Sequence, residues 1–294
     1  MTGEQDLAAR VGPDVAAVLA RLGAPVADVV RVTGLPDKKT GRATFRVALE
    51  DGRVLKVRRL TRASRGTRFS ELLAALASPR FPPVLALEGR VSVEPWLVGT
   101  PLTELPLGAG RLQQAADVLG ALHATASLGG RRLLGTRPTR SLLQGTARRL
   151  AQLGSGGALA RPEVVALVEA AVRSAPARAT AGVAHTDFCA DNLIEDAGGQ
   201  LRVVDNEGLR LDFLDYDLAR TWYRWPMSQR HWSVFLDRYL RWRRPPPDPR
   251  ADPFWRIAAV VRSLHLRKSR GTGQEAAPSA RLREILAALE GSAP

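Results

Sequence analysis

The sequence predicts an α+β fold in two parts, an antiparallel sheet followed by a larger helical region. Three observations predict it. Residues alternate in polarity over Thr44–Leu49 and Arg53–Arg58, on either side of an Asp51-Gly52 turn; a period of two marks a strand, and Asp-Gly marks a hairpin. From Ala109 onward the apolar spacing becomes helical. Between His185 and Asp205, polar residues at fixed offsets precede two short apolar runs on either side of Gly198-Gly199, which reads as a small hairpin.

In order, residues 4 to 22 read as helical with a break at Gly12-Pro13, where Asp14 is a candidate cap and Gly23 a stop. Val26 to Val32 begins the β pattern. Ser70 to Leu76 reads as a helix that begins near Thr67. Val84–Leu87 and Val91–Val93 bracket Glu88-Gly89-Arg90 as another hairpin, making a sheet of about five antiparallel strands. The helical part offers Arg111 to Thr125, Arg140 to Leu153 and Pro162 to Arg173, with a flexible Gly154-Ser155-Gly156-Gly157 loop. Further helices follow at Ser228 to Trp242, Asp252 to Leu266 and Ala280 to Leu289. Asp252-Pro253 is a suitable cap-plus-first-turn start, and Arg262, Arg267, Lys268 and Arg270 put positive charge at the end of that helix, which suits its dipole.

Composition bounds the function classes. The 294 residues are 45% apolar and 24% charged, a globular balance with enough chain for a large core in one or two domains. No apolar run reaches membrane-spanning length. The acidic start, Met1 to Asp6, leads into no apolar segment, which argues against a signal peptide. The lone Cys189 excludes an internal disulfide framework and fits a reducing cytoplasm, buried and inert. Net charge is +14. The basic residues are scattered and no nucleic-acid motif accompanies them, so charge alone does not make nucleic acid a partner; peripheral contact with an anionic membrane stays open. Oligomeric state is not read from the sequence.

His185, Asp187 and Asn192 form H-x-D-x-x-x-x-N, and Asp205 ends the second apolar run. A hairpin between them brings these groups to one end. Phosphoryl transfer needs such a set, because its loose anionic transition state asks mainly for positioning and charge neutralisation. Asp187 is the candidate to orient an acceptor hydroxyl and take its proton. Asn192 and Asp205 offer the hard oxygen ligands that Mg2+ prefers.

This segment resembles the catalytic and metal-binding elements of the aminoglycoside phosphotransferase family, within the wider protein-kinase-like fold. Val203-Val204-Asp205-Asn206-Glu207 resembles its metal-aspartate element, Tyr216-Asp217-Leu218-Ala219 its Tyr-Asp-Leu-Ala motif, and the Leu119-Gly120-Ala121-Leu122-His123 cluster its core helix. The Gly-Asp-Pro usual before the Tyr-Asp-Leu-Ala motif is replaced by Asp212-Phe213-Leu214. Asp217 is expected to cap a helix or brace the catalytic loop, and His123 to be a buried, satisfied histidine.

The resemblance implies a two-lobed protein-kinase-like fold, residues 1–97 forming the nucleotide-binding lobe with its sheet and one helix, residues 98–294 the helical lobe with catalytic loop and substrate pocket. It implies that Lys56, in Leu55-Lys56-Val57, holds the phosphates of ATP and that Glu71 orients Lys56. By position in the inter-lobe linker, Glu94 offers a carbonyl and Trp96 an amide to adenine. Lys38, Lys39 and the backbone near Gly41 could cover phosphates, although Gly34 to Arg42 lacks the kinase glycine pattern. The aromatic run Thr221 to Pro226, with Trp232, Phe235 and Tyr239, supplies candidate pocket walls. The implied activity is ATP- and Mg2+-dependent transfer of the γ-phosphate to a hydroxyl of a small molecule, an antibiotic or a metabolite such as an amino alcohol or sugar. A non-catalytic nucleotide-binding module and a protein kinase are the alternatives. Net charge favours a neutral or anionic acceptor over a polycation.

Overall fold

Residues 3–32, 42–76, 78–128 and 131–291 are described by the structure, a computed structural model. The chain forms two compact units, Met1–Leu107 with Ala190–Arg210, and Gly108–Cys189 with Leu211–Pro294. The first unit therefore takes in the segment after residue 97 and the hairpin beyond the catalytic motif.

In the first unit, helices α1 (Gly3–Val11) and α2 (Pro13–Ala20) break at Gly12-Pro13 as the sequence predicts. Strands β1 (Val26–Arg31), β2 (Ala43–Leu49) and β3 (Val54–Arg59) follow, then α3 (Ala63–Leu76), β4 (Ala86–Glu88) and β5 (Val91–Pro95). The sheet has five strands in the order β1-β2-β3-β5-β4, every neighbouring pair antiparallel. Strict alternation in β2 buries Ala43, Phe45, Val47 and Leu49. With Leu55, Val57, Val91 and Val93 they form an apolar layer against Val11, Val15, Val18 and Leu19 of the two helices. Burying such side chains stabilises by roughly 1.5–3 kcal/mol each, and the alternation leaves the other face of β3 to Lys56 and Arg58. A short strand β6 (Thr100–Pro101) completes this stretch.

In the second unit come α4 (Ala109–His123), a ribbon of β7 (Ser127–Leu128) and β8 (Arg131–Arg132), β9 (Gly135–Pro138), α5 (Arg140–Ser155), α6 (Arg161–Ser174) and β10 (Arg178–Ala184). Strand β10 pairs with β9, although its small residues carry little strand propensity; pairing forms it. The chain returns to the first unit for β11 (Leu193–Glu195) and β12 (Leu201–Val203), the predicted hairpin, which adds to β6. After β13 (Arg210–Phe213) come α7 (Leu214–Arg224), α8 (Gln229–Tyr239), α9 (Asp252–Arg270) and α10 (Ala276–Glu290). Helix α9 is the centre of the second core, with Phe254, Ile257, Val260, Val261 and Leu264 buried among residues of α5, α6, α7 and α10. It runs a turn beyond the expected Leu266 and stops at Gly271, whose φ of 61° supplies the left-handed cap. Among the described residues, no helix is long and apolar enough to cross a membrane.

Candidate active-site residues in two units

On the charged face of the first unit's sheet, Lys56 and Arg58 follow each other at a two-residue interval, so both project from the same side of β3. Register places Glu94 of β5 directly opposite Lys56. Asp205 closes the group: its Oδ1 accepts from Lys56 Nζ and from Arg58, each at 2.6 Å. Arg58 donates its other terminal nitrogen to Glu207 at 2.6 Å, and Arg42 pairs with Glu207 at 2.5 Å. Three cations thus face three carboxylates. Burial opposes ionisation of Asp205, yet Arg58 and then Lys56 hold its carboxyl far below the usual range. Burial, with repulsion from Arg58, pushes Lys56 down, against the pull of Asp205 and Glu94. Burial pushes Glu94 up, opposed by Arg58 and Lys56. The fully buried Arg58 stays charged, because Glu207, Glu94 and Asp205 outweigh its desolvation.

The β11–β12 hairpin explains how Asn192 joins this unit. Leu193 pairs with Val203, so Asn192 and Val204 flank its open end, where the Val204 amide donates to the Asn192 carbonyl at 2.9 Å. Asp205 follows at φ 59°, a left-handed turn rare outside glycine that Asp tolerates better than most residues. Lys56 and Arg58 meet Asp205 at Oδ1. A neutral and an anionic oxygen donor at one hairpin end fit a hard divalent ion that keeps waters and phosphate oxygens as its other ligands.

Two expectations change here. The Trp96 amide donates to the Val54 carbonyl at 2.9 Å, extending the β3–β5 ladder one residue beyond the strand. The two-residue alternation of an antiparallel ladder then turns the backbone carbonyl of Glu94 toward Lys56 as well. Neither group faces outward as the linker reading expects; the groups in outward phase are one residue on, the Pro95 carbonyl and the Leu97 amide. Glu71 lies exposed on α3, and Lys56 pairs with Asp205. The phosphate-covering stretch with Lys38, Lys39 and Gly41 lies outside the described residues.

In the second unit, β10 ends at Ala184 and delivers the His185-Thr186-Asp187 turn. Asp217, in the first turn of α7, accepts the amides of His185 and Thr186, each at 2.7 Å. These bonds hold Thr186 in a left-handed conformation at φ 70°. His123 Nε2 lies 3.1 Å from the same carboxylate, which only accepts, so that nitrogen carries a proton; His123 Nδ1 lies 2.7 Å from the Tyr239 hydroxyl. Although burial opposes it, the His123 hydrogen bond keeps Asp217 below the usual carboxylate range. Asp217 therefore braces the loop, as expected, and His123 is buried and satisfied. Asp187 itself is 41% exposed and forms an ion pair with Arg224 at 3.0 Å, with Arg220 at 3.8 Å.

A family model described as the APH phosphotransferase enzyme family matches residues 31–256. The chain belongs to the phosphotransferase enzyme family. No curated protein sequence matches it. Solved structures of the family's fold match almost throughout. Macrolide 2'-phosphotransferase MphH from Brachybacterium faecium is 18% identical, with a TM-score of 0.64 over 96% of this chain and 98% of that one. A thermostable mutant of aminoglycoside phosphotransferase APH(4)-Ia, in ternary complex with ADP and hygromycin B, is 15% identical with a TM-score of 0.64 over 100% of both chains. Ethanolamine kinase from Plasmodium vivax is 13% identical, with a TM-score of 0.60 over 88% of this chain and 82% of that one. At such identities the likeness shows the fold, and it is the kinase-like one.

Sequence reading misses Arg58, Arg220 and Arg224, which pair with the candidate residues Asp205 and Asp187. The signal was present: Arg58 shares a strand face with Lys56, and Arg220 and Arg224 are four apart on one helix face. The aromatic wall divides. Trp225, Phe235 and Tyr239 are core residues, whereas Tyr223 lines a cavity. Asp215, shortly before the aromatic run, pairs with Arg243 at 2.5 Å.

Proposed function

We propose that this family member transfers the γ-phosphate of ATP to a hydroxyl group of a small molecule, with Mg2+. The observation that carries it is the Lys56–Asp205 ion pair beside the Asn192-bearing hairpin end, in a chain of the phosphotransferase family. Relatives of this fold are crystallised with ADP or AMP-PNP and hygromycin B, and one is an ethanolamine kinase, which supports a nucleotide and a small hydroxylated acceptor.

Residue roles follow from the chemistry. Lys56 supplies a compact positive charge for phosphate oxygens, and its pairing with Asp205 keeps it aimed in the resting state. Adenine would donate to the Pro95 carbonyl and accept from the Leu97 amide. Asn192 and Asp205 would hold Mg2+, which supplies neutralisation of phosphate charge when bound. Asp187 orients the acceptor hydroxyl and accepts its proton, on a loop that Asp217 keeps rigid. The catalytic segment crosses from one unit to the other at Cys189–Ala190, so Asp187, Asn192 and Asp205 belong to one continuous stretch of chain. A cytoplasmic location belongs to the same proposal and suits the buried Cys189 thiol.

The test is Mg2+-dependent ADP release across antibiotics, amino alcohols, sugars and sugar acids. Removing a group aligned with transition-state charge costs roughly a hundredfold to a thousandfold in rate. Asp187→Asn should lose at least that much while keeping its thermal transition. A folded Asp187→Asn protein with full turnover would sink the assignment.

A further inference from the structure

We propose that the acceptor is an anion, a small hydroxyl-bearing molecule whose carboxylate or phosphate group is held by arginines of the second unit. This rests on the phosphotransferase reading and adds the charge class of its substrate. The observation is a cavity of about 460 Å³ lined by Tyr223, Arg224, Ser228, Arg267 and Arg281 among others, with no carboxylate in its lining among the described residues. That volume lies within the range of small-molecule sites.

Three arginines line it, one each from α7, α9 and α10. Two of the three are paired with carboxylates and, among the described residues, the third, Arg267, is not. Arg224 is paired with Asp187 at 3.0 Å. Arg281 pairs with Glu284 on its own helix and lies 4.1 Å over the Trp222 ring, whose ring Arg256 also approaches at 4.4 Å. Arg267 donates to the neutral Gln274 carbonyl at 2.8 Å, and among the described residues no carboxylate pairs with it. The cavity therefore carries net positive charge. Guanidinium forks match the two oxygens of a carboxylate or phosphate. Arg224 and Arg281 are only 35% and 33% exposed, so solvent screens them incompletely.

Arg224 links this charge to the chemistry, because the side chain that lines the cavity also contacts Asp187. An acceptor anchored by its anionic group would present a neighbouring hydroxyl beside the Asp187 carboxylate. In the transfer, Asp187 takes the hydroxyl proton, the oxygen forms a bond to the γ-phosphorus, and the bond to the β-phosphate oxygen breaks with release of ADP. A polycationic acceptor would have to displace or neutralise the same guanidinium groups, and like charges brought together discriminate against it.

The experiment is calorimetric titration of the full chain with matched probes at low salt: D-gluconate against D-glucitol, glucose 6-phosphate against glucose, and kanamycin as polycation. Wild type should bind each anion at least about tenfold more tightly than its neutral partner, and kanamycin not at all. Arg267→Gln and Arg281→Gln should each lose most of that preference. Arg250→Gln, which removes the same formal charge from an exposed site paired with Asp248, should retain it. Equal binding of anions and neutral partners, preferential binding of kanamycin, or an undiminished preference in the Arg267 and Arg281 variants would overturn the proposal. Anion binding that disappears in those variants, in a protein that fails to bind Mg-ATP, would uphold the anion site and remove the phosphotransferase reading beneath it.

Discussion

Lys56 Nζ and Arg58 share one oxygen, Oδ1 of Asp205, each at 2.6 Å. The two cations nevertheless differ in surroundings. Lys56 is 13% exposed, whereas Arg58 is 1% exposed and serves Glu207 as well. Lys56→Ala is therefore expected to lower kcat/KM for ATP about a hundredfold with the thermal transition little changed. Arg58→Met strips a buried cation from Glu207 and Glu94, and breaking a buried pair from one side costs about 3–5 kcal/mol. Denaturant unfolding of both variants checks the contrast, and Glu207→Gln added to Arg58→Met should restore part of the loss.

Asp217 gives a pH dependence. Its folded pKa lies below the unfolded value, so between the two the folded state binds fewer protons. Its stabilisation is complete above the ordinary carboxylate pKa of about 4 and is lost as pH falls through the lower folded value. Asp217→Asn should cost about 2–3 kcal/mol at pH 7, the worth of charged hydrogen bonds to two amides. It should also flatten the acid limb of the stability curve, measured by urea unfolding from pH 7 to pH 3. An unchanged acid limb would remove Asp217 as its source.

The ladder bond from Trp96 to Val54 makes a prediction about nucleotide contact. In the free protein the Trp96 amide should already exchange slowly with deuterium. ATP binding should slow Leu97 and leave Trp96 unaltered. Slowing at Trp96 alone would restore the linker phase that the sequence suggests.

A Cβ on Gly99 would sit 2.3 Å from the Glu195 carbonyl oxygen and 2.6 Å from Ile194, both on β11. Backbone cannot give way as a side-chain tip can, so Gly99→Ala must shift the hairpin that carries Asn192. Overpacking of this kind costs about 1–3 kcal/mol. We expect a lower thermal midpoint together with a weaker Mg2+ dependence of ADP release. A loss of stability with Mg2+ dependence intact would confine the effect to packing.

Local patterns were enough for much of this protein. The Asp51-Gly52 hairpin, the alternation of β2 and the break at Gly12-Pro13 are properties of short segments, and each forms as its residues dictate. The candidate catalytic motif is legible for the same reason: His185, Asp187, Asn192 and Asp205 lie within one short stretch, where offsets in sequence limit offsets in space. The helix that continues past Leu266 and the strand built from Arg178–Ala184 show where local signals end, since packing and pairing extended them.

The sequence by itself determined the family and the α+β architecture, and it named the candidate residues for the chemistry. Only the tertiary structure decided which partner each one meets. Lys56 pairs with Asp205, 149 residues away, while Glu71 stays on the surface. Ladder phase turned the Trp96 amide inward, and the crossing of α7 brought Arg224 to Asp187. The physical reason is common to all three. Periodicity fixes which face a side chain occupies, but charge pairing, ladder phase and cavity lining depend on distant segments whose register no local pattern encodes.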